Sequence, residues 1–173
     1  MKPWLLIDID GVLNPTLSNS QARRLHFARR HTWGPGGFSY PYWFTPEHGR
    51  MLAGMTDTFE LAWATTWQHS ANLEYGPLIG LRELPVVTFD PDTGGDSKVP
   101  GILRFVGDHP FVWLDDEVTE GQERLLQATA LVVGAGRAFR HAGGGDLVDD
   151  VVYGGCGGFH GPRAGDVADS AEA

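Results

Sequence analysis

Apolar residues fall along this chain in short, mostly unbroken blocks, and three of these blocks predict buried strands. Trp4-Leu5-Leu6-Ile7 runs into Asp8, Phe59-Glu60-Leu61-Ala62-Trp63-Ala64 runs into Thr65-Thr66-Trp67, and Pro110-Phe111-Val112-Trp113-Leu114 runs into Asp115-Asp116-Glu117. Continuous apolar runs, as opposed to strict alternation, mark strands covered on both faces, which is the habit of parallel sheets flanked by helices. Helical signals lie between them. Thr45-Pro46-Glu47 reads as an N-cap with proline at the first helical position and starts a helix to about Met55. Lys98 opens a periodic segment from Val99 to Val106, and a further helix is expected from Thr119 to Ala130, followed by a last strand at Ala130-Leu131-Val132-Val133. Strands alternating with helices predict an α/β fold with a mainly parallel sheet, in which ligands bind at the carboxyl ends of the strands.

Those ends carry the chemistry. Asp8 and Asp10 stand either side of Ile9, and Gly11 lets the chain turn directly after the strand so that the second carboxylate swings beside the first. Two like charges that close require a shared proton or a divalent cation, and oxygen ligands favour Mg²⁺ before Ca²⁺. A calcium loop of the EF-hand kind is excluded, because glycine stands fourth and Asn19 occupies the twelfth position, where glutamate is required. The same two acids would also serve as turn formers or helix caps. Thr65 places a hydroxyl at the second strand end, where it can hold a phosphate oxygen, and Thr66 leaves the register open by one residue. Lys98 puts a positive charge at a helix start, which is unfavourable with the helix dipole unless anions lie nearby; the chain has only one other lysine, Lys2. Asp115 and Asp116 form a second acidic cluster at the third strand end, and one of them also suits the N-terminus of the helix that follows.

Taken in order, these residues resemble the haloacid dehalogenase-like (HAD) phosphohydrolases, whose four motifs are Asp-x-Asp-Gly, a Ser/Thr after a strand, a Lys and a late acidic pair. Asp8 and Asp10 match the first, Thr65 the second, Lys98 the third, and Asp115 with Asp116 the fourth. The strings Asp-Gly-Val-Leu-Asn-Pro, Trp-Ala-Thr-Thr-Trp and Trp-Leu-Asp-Asp-Glu are most similar to a small bacterial subgroup that includes the HAD domains of multidomain RNA-repair proteins. The resemblance spans residues 1 to about 133 and implies a three-layer Rossmann-like domain with a minimal flap-type cap, acting as a Mg²⁺-dependent phosphomonoesterase. It assigns Asp8 as the nucleophile that becomes an aspartyl phosphate, and Asp10 as the acid that protonates the leaving alkoxide and then the base that activates water. Mg²⁺ would be held by Asp8, the Asp10 main-chain carbonyl and Asp115, with Asp116 binding through water or orienting Lys98. Thr65 and Lys98 would hold the remaining phosphoryl oxygens.

The insert between the first two motifs, residues 16–44, is expected to set the substrate. It interleaves Arg23, Arg24, Arg29 and Arg30 with Trp33 and the aromatic run Phe38 to Phe44, and Thr66 and Trp67 are expected to line the same entrance. Such a flap could pair with phosphates and stack on bases. Equally, the arginines could be the solvated face of a helix while Tyr42, Trp43 and Phe44 pack on the core.

Composition narrows the partners. The 173 residues suit one domain, with 42% hydrophobic and 20% charged residues. A net charge of −9 argues against a surface that grips nucleic acid as a whole, leaving a local basic patch as the route to a polynucleotide end. A small phosphorylated substrate ranks first, a polynucleotide end in nucleic-acid repair second, and a non-catalytic phosphate-binding module third; Asp10 speaks against the last, which needs no leaving-group acid. No obligate protein partner is implied. The lone Cys156 excludes an intramolecular disulfide framework, no apolar run approaches a membrane span, and Met1 to Ile7 is too short for a signal peptide, so a cytoplasmic location is expected. Residues 134–173 are rich in Gly, Ala and Asp; they are expected to be partly flexible, with a short strand at Leu147 to Tyr153 and no zinc site at Cys156 and His160.

Overall fold

The structure is a computed structural model that describes residues 2–33, 39–89, 98–128 and 135–136. Along the chain run β1 (Trp4–Ile7), α1 (Asn19–Arg24), β2 (Ala28–Trp33), β3 (Ser39–Phe44), α2 (Pro46–Met55), β4 (Glu60–Trp63), α3 (Lys98–Val106), β5 (Phe111–Leu114), α4 (Glu120–Ala128) and β6 (Ala135–Gly136). Between β4 and α3 lie a π-helical turn, Ala71–Tyr75, and a 3₁₀ turn, Gly76–Ile79. The fold is α/β. Its main sheet has the order β4-β1-β5-β6 with every pairing parallel, and β2 and β3 form a separate antiparallel ribbon.

Strand register sorts the core into two layers. Leu5 pairs with Leu61 and Val112, and Ile7 with Trp63 and Leu114, so these side chains share one face of the sheet. They pack with Leu52 of α2 and with Tyr75 and Ile79 of the π and 3₁₀ turns. Leu6 pairs with Ala62 and Trp113, which face the other way onto Val99, Ile102 and Val106 of α3 and Leu126 of α4. Both faces are covered, which is why the strands read as apolar blocks, with only the exposed Glu60 at the start of β4 departing from this. The outer edge of β4 is met by the segment around Val86, where Trp63 N–H donates to Pro85 O at 2.9 Å and Val87 N–H donates to Trp63 O at 2.8 Å.

Helix boundaries follow local chemistry. Thr45 caps α2 with Pro46 at its first position, as expected from the sequence. Ser18 and Gln21 form a reciprocal capping box on α1, and Thr119 and Gln122 exchange the same pair of bonds at the start of α4. The arginines of the insert do not share one helix face: Arg23 and Arg24 lie in α1, whereas Arg29 and Arg30 lie on β2. The segment that broke the expected helix is the turn after Leu25, where His26 takes a positive φ of 58°. Tyr42 and Phe44 are buried in the core, as their apolar bodies require. The expected strand at 130–133 and the features at 147–153, Cys156 and His160 lie outside the described residues, as do most of residues 134–173; β6 at 135–136 pairs with β5.

One close approach fixes how α2 sits. A Cβ on Gly49 would overlap the main-chain carbonyl of Ile79, which cannot move aside as a flexible side chain could. In an open helix Gly→Ala would gain about 1 kcal/mol from propensity. Gly49→Ala is expected instead to lower unfolding free energy by roughly 1–3 kcal/mol, as overpacking does, whereas Gly54→Ala, in open space on the same helix, should be neutral or stabilising. Urea midpoints of the two variants check this.

Candidate active site

The central strand delivers Asp8. Asp8 N–H donates to Leu114 O at 2.9 Å, and Ala64 N–H donates to Ile7 O at 2.8 Å, so three strand ends are stitched level with one another. Asp8 follows β1, Asp115 follows β5 and Thr65 follows β4 by two residues, and all three are buried, at 5%, 3% and 0% exposure. Lys98, the first residue of α3, closes the group: its Nζ donates to Asp8 Oδ2 at 2.7 Å and to Asp115 Oδ2 at 2.6 Å. The remaining carboxylate oxygens take main-chain donors, Ile9 N–H to Asp8 Oδ1 at 2.7 Å and Glu117 N–H to Asp115 Oδ1 at 2.9 Å.

Burial works against the charges of Asp8, Lys98 and Asp116. It pushes the Asp8 carboxyl from 3.8 up to about 6; the Lys98 ammonium pulls it back and the Asp115 charge adds to the rise, with the Thr65 hydroxyl close enough to favour the ionised form. Burial also disfavours charge on Lys98, but the two carboxylates outweigh it and hold the ammonium above the ordinary lysine value. Asp116 is raised too, first by burial and then by the neighbouring acids.

Asp8, Asp115 and Asp116 can each offer an oxygen within 4.8 Å of the others. Three carboxylates and one ammonium leave two negative charges unbalanced, which is the charge of one divalent cation, and an all-oxygen donor set suits a hard one. Gly11 makes room for the third carboxylate. Its φ of +74° is the left-handed conformation that favours glycine, and a Cβ there would have to displace the Asp116 carboxylate.

Asp10 stands apart. Its carboxylate lies outside that trio and is exposed, with Oδ1 accepting from Asn14 Nδ2 at 2.7 Å and Oδ2 accepting from Trp67 Nε1 at 2.8 Å. Asn14 Oδ1 in turn accepts from Trp43 N–H of β3 at 2.7 Å, and Tyr75 Oη donates to Leu13 O at 2.7 Å. The ribbon is therefore fastened to the turn that carries Asp10. Sequence reasoning assigned no role to Asn14 or Tyr75. Asn14 had a signal, lying four residues past Asp10 at the close of a glycine turn; Tyr75 had none, because 62 residues separate it from Leu13.

Two cavities flank the ribbon. One, of about 550 Å³, is lined by Asp10, Asn14, Thr32, Tyr40, Pro41, Tyr42, Thr66, Trp67, Ser70 and Glu74. The other, of about 360 Å³, is lined by Asn19, Arg23, Phe27, Arg29 and Trp43, with the Arg29 guanidinium 5.7 Å from the centre of the Trp43 ring. Thr66 and Trp67 thus open onto the first cavity, Arg23 and Arg29 onto the second, and Arg24 and Arg30 onto neither. Thr65 is fully buried beside Asp8. Among the described residues no helix is long and apolar enough to cross a membrane. Comparison of the chain with protein-family models, with curated protein sequences and with solved structures finds no match in any of the three.

The raised Asp8 pKa has a consequence for metal-free protein. Between 3.8 and about 6 the folded chain holds a proton that the unfolded chain has released, so this contribution to stability is fully present below 3.8 and is lost as pH rises through about 6. Unfolding free energy in EDTA is expected to fall by on the order of 2 kcal/mol from about pH 4 to about pH 7. Asp8→Asn should flatten that part of the curve. Urea midpoints across the pH series check both.

Proposed function

We propose that this protein is a Mg²⁺-dependent phosphomonoesterase with a Rossmann-like HAD fold, acting through an aspartyl phosphate on a small phosphate ester or nucleotide. The observation that carries the proposal is the convergence of Asp8, Asp115 and Lys98, with Thr65 beside Asp8, at the carboxyl end of a parallel sheet whose centre is β1. A structural ion pair needs one acid and one base. Here two buried acids share one largely buried lysine beside a third, exposed acid, at the cost of desolvating the buried groups, and such arrangements concentrate at functional sites.

In the first step an Asp8 carboxylate oxygen forms a bond to phosphorus while the bond from phosphorus to the ester oxygen breaks, and Asp10 gives its proton to the departing alkoxide. In the second, water attacks the same phosphorus, Asp10 takes the water's proton, and the bond to Asp8 breaks to release inorganic phosphate. Lys98 and Thr65 hold phosphoryl oxygens through both displacements, so their donors are in place before charge develops. Mg²⁺ held by Asp8, Asp115 and Asp116 would neutralise charge on the phosphoryl group. Trp67 and Asn14 fix the two oxygens of Asp10, which places it toward the cavity where a leaving group would sit.

Asp8→Asn is nearly isosteric and is expected to abolish phosphate release from a small aryl ester while the fold is kept. Asp10→Asn should slow esters of poorly acidic alcohols more than aryl esters, because only the former need a proton on the leaving oxygen. Chelation should remove activity, Mg²⁺ should restore it and Ca²⁺ should restore little, since its looser coordination lets the nucleophile sit in the wrong geometry. Asp8→Asn activity within about tenfold of wild type, or full turnover in chelator, would falsify the assignment.

A polynucleotide end is favoured as substrate by one observation, the basic and aromatic cleft of Arg23, Arg29 and Trp43. If that cleft tracks a strand, replacing Arg23 and Arg29 with Gln should lower kcat/KM on an end-phosphorylated oligonucleotide and flatten its salt dependence, leaving a small aryl phosphate unchanged. Similar small changes on both substrates would remove the cleft from nucleic-acid binding.

A further inference from the structure

We infer that the cavity beside Asp10 selects a flat aromatic leaving group rich in N–H or O–H donors, with Glu74 reading those donors, which makes nucleoside monophosphates its substrate class. The inference rests on the phosphatase proposal and concerns the same site. The cavity holds about 550 Å³, inside the range of roughly 300–1,000 Å³ usual for small-molecule sites. Its wall is aromatic. Tyr42 and Trp67 meet edge to face at 5.1 Å and 86°, and Tyr40, half exposed, stands on the same face of the ribbon as Tyr42. Offset or edgewise packing against such rings rewards a planar base over a sugar.

Glu74 supplies the polar reading. It is half buried in the π-helical turn between β4 and α3, a geometry that recurs at functional sites. Among the described residues its carboxylate has no hydrogen-bond or ion-pair partner, nor do the side chains of Thr32, Thr66 and Ser70 around it have a hydrogen-bond partner. A carboxylate drawn partly out of water wants donors, and the amino and imino groups of a base provide them. Its charge is felt inside the cavity: the Tyr42 hydroxyl is raised first by burial and then by Glu74, with Arg30, its direct partner on β2 and on the same face, opposing.

The same charge sets what is refused. Asp10 and Glu74 are the only charged side chains among the described lining residues, and Arg30 lies outside that lining. A second phosphate on the leaving group would meet two carboxylates against one cation, Arg30, which stands opposite Tyr42 on the same face of the ribbon. A nucleoside monophosphate, with its one phosphate at Asp8 and its base toward Glu74, fits ring, donors and charge together.

The test measures kcat/KM of wild type and Glu74→Gln on adenosine and guanosine monophosphates, a nucleoside diphosphate, a hexose phosphate and phenyl phosphate. Wild type is expected to prefer the monophosphates over the diphosphate and the hexose phosphate. Glu74→Gln should lower kcat/KM on the purine monophosphates about tenfold, the worth of a hydrogen bond to a charged group, while phenyl phosphate, which offers no donor, stays within about twofold. Equal losses on nucleotide and phenyl phosphate, or a hexose phosphate turned over as well as the nucleotides, overturn the inference while leaving the phosphatase intact. If no ester is hydrolysed, the phosphatase proposal fails. Calorimetric titration with guanosine then decides the pocket alone: binding that Glu74→Gln weakens supports it, and no binding, or binding that the variant leaves unchanged, overturns it.

Discussion

The bridge from Lys98 to Asp8 and Asp115 is the interaction on which the arrangement of the rest depends. Two buried carboxylates on adjacent strand ends would repel each other and force either a protonation or an opening of the sheet edge. One ammonium between them, at 2.7 Å and 2.6 Å, holds both in place. The bridge also explains a local anomaly in α3. That helix begins with lysine and has no acid in its first turn, the wrong sign for its dipole. The charge is tolerated because the acids that answer it come from β1 and β5. Since buried ion pairs seldom add stability over an apolar core of the same volume, the group holds the strand ends in a fixed arrangement more than it adds to folding free energy.

Asp8 and Asp10 are two residues apart and sit in opposite surroundings. Asp8 is enclosed, bound to an ammonium, and shifted upward by burial. Asp10 is exposed and held by two neutral donors, the Asn14 amide and the Trp67 indole. Pairs of carboxylates placed in unlike environments can take unlike roles in one reaction. Gly11 produces the split: its left-handed turn carries Asp10 away from the acidic trio and at the same time leaves space for Asp116.

The sheet and the acid-lysine group were legible because both rest on signals local to short segments. Apolar blocks, interrupted only by Glu60, marked β1, β4 and β5 to within two residues, and each ran directly into Asp8, Thr65 or Asp115. Cap chemistry at Thr45 placed the start of α2. The ribbon was not legible in the same way. Residues 28–33, Ala-Arg-Arg-His-Thr-Trp, carry neither an apolar block nor a clean alternation, and their partner strand contains a proline. Their strand character comes from pairing with β3, which buries Tyr42 and Phe44 against the sheet. Tertiary pairing overrides weak local preference in such segments. The fastening of Asn14 to β3, and of Tyr75 to Leu13, depends on chain segments brought together only by folding.

Strand geometry then divides what composition had merged. In the insert, cationic and aromatic residues stand side by side and look like one basic surface. On an antiparallel ribbon, directly opposed residues share a face and neighbours along a strand do not. Arg29 and Trp43 are opposed, and line the outer cleft with Arg23 of α1. Thr32 and Tyr40 are opposed, and with Tyr42 line the cavity beside Asp10. The result is two surfaces on one small element: a basic one with Arg29 turned away from Asp10, and an aromatic one next to Asp10 that meets Glu74 and shares its face of the ribbon with Arg30. An acidic chain can in this way present Arg23 and Arg29 to an anionic partner at one place, while Arg30, opposite Tyr42, stays on the face of the ribbon nearer Asp10. The two residues of β2 that follow Ala28 are both arginine, and only the pleat decides that Arg29 faces the outer cleft.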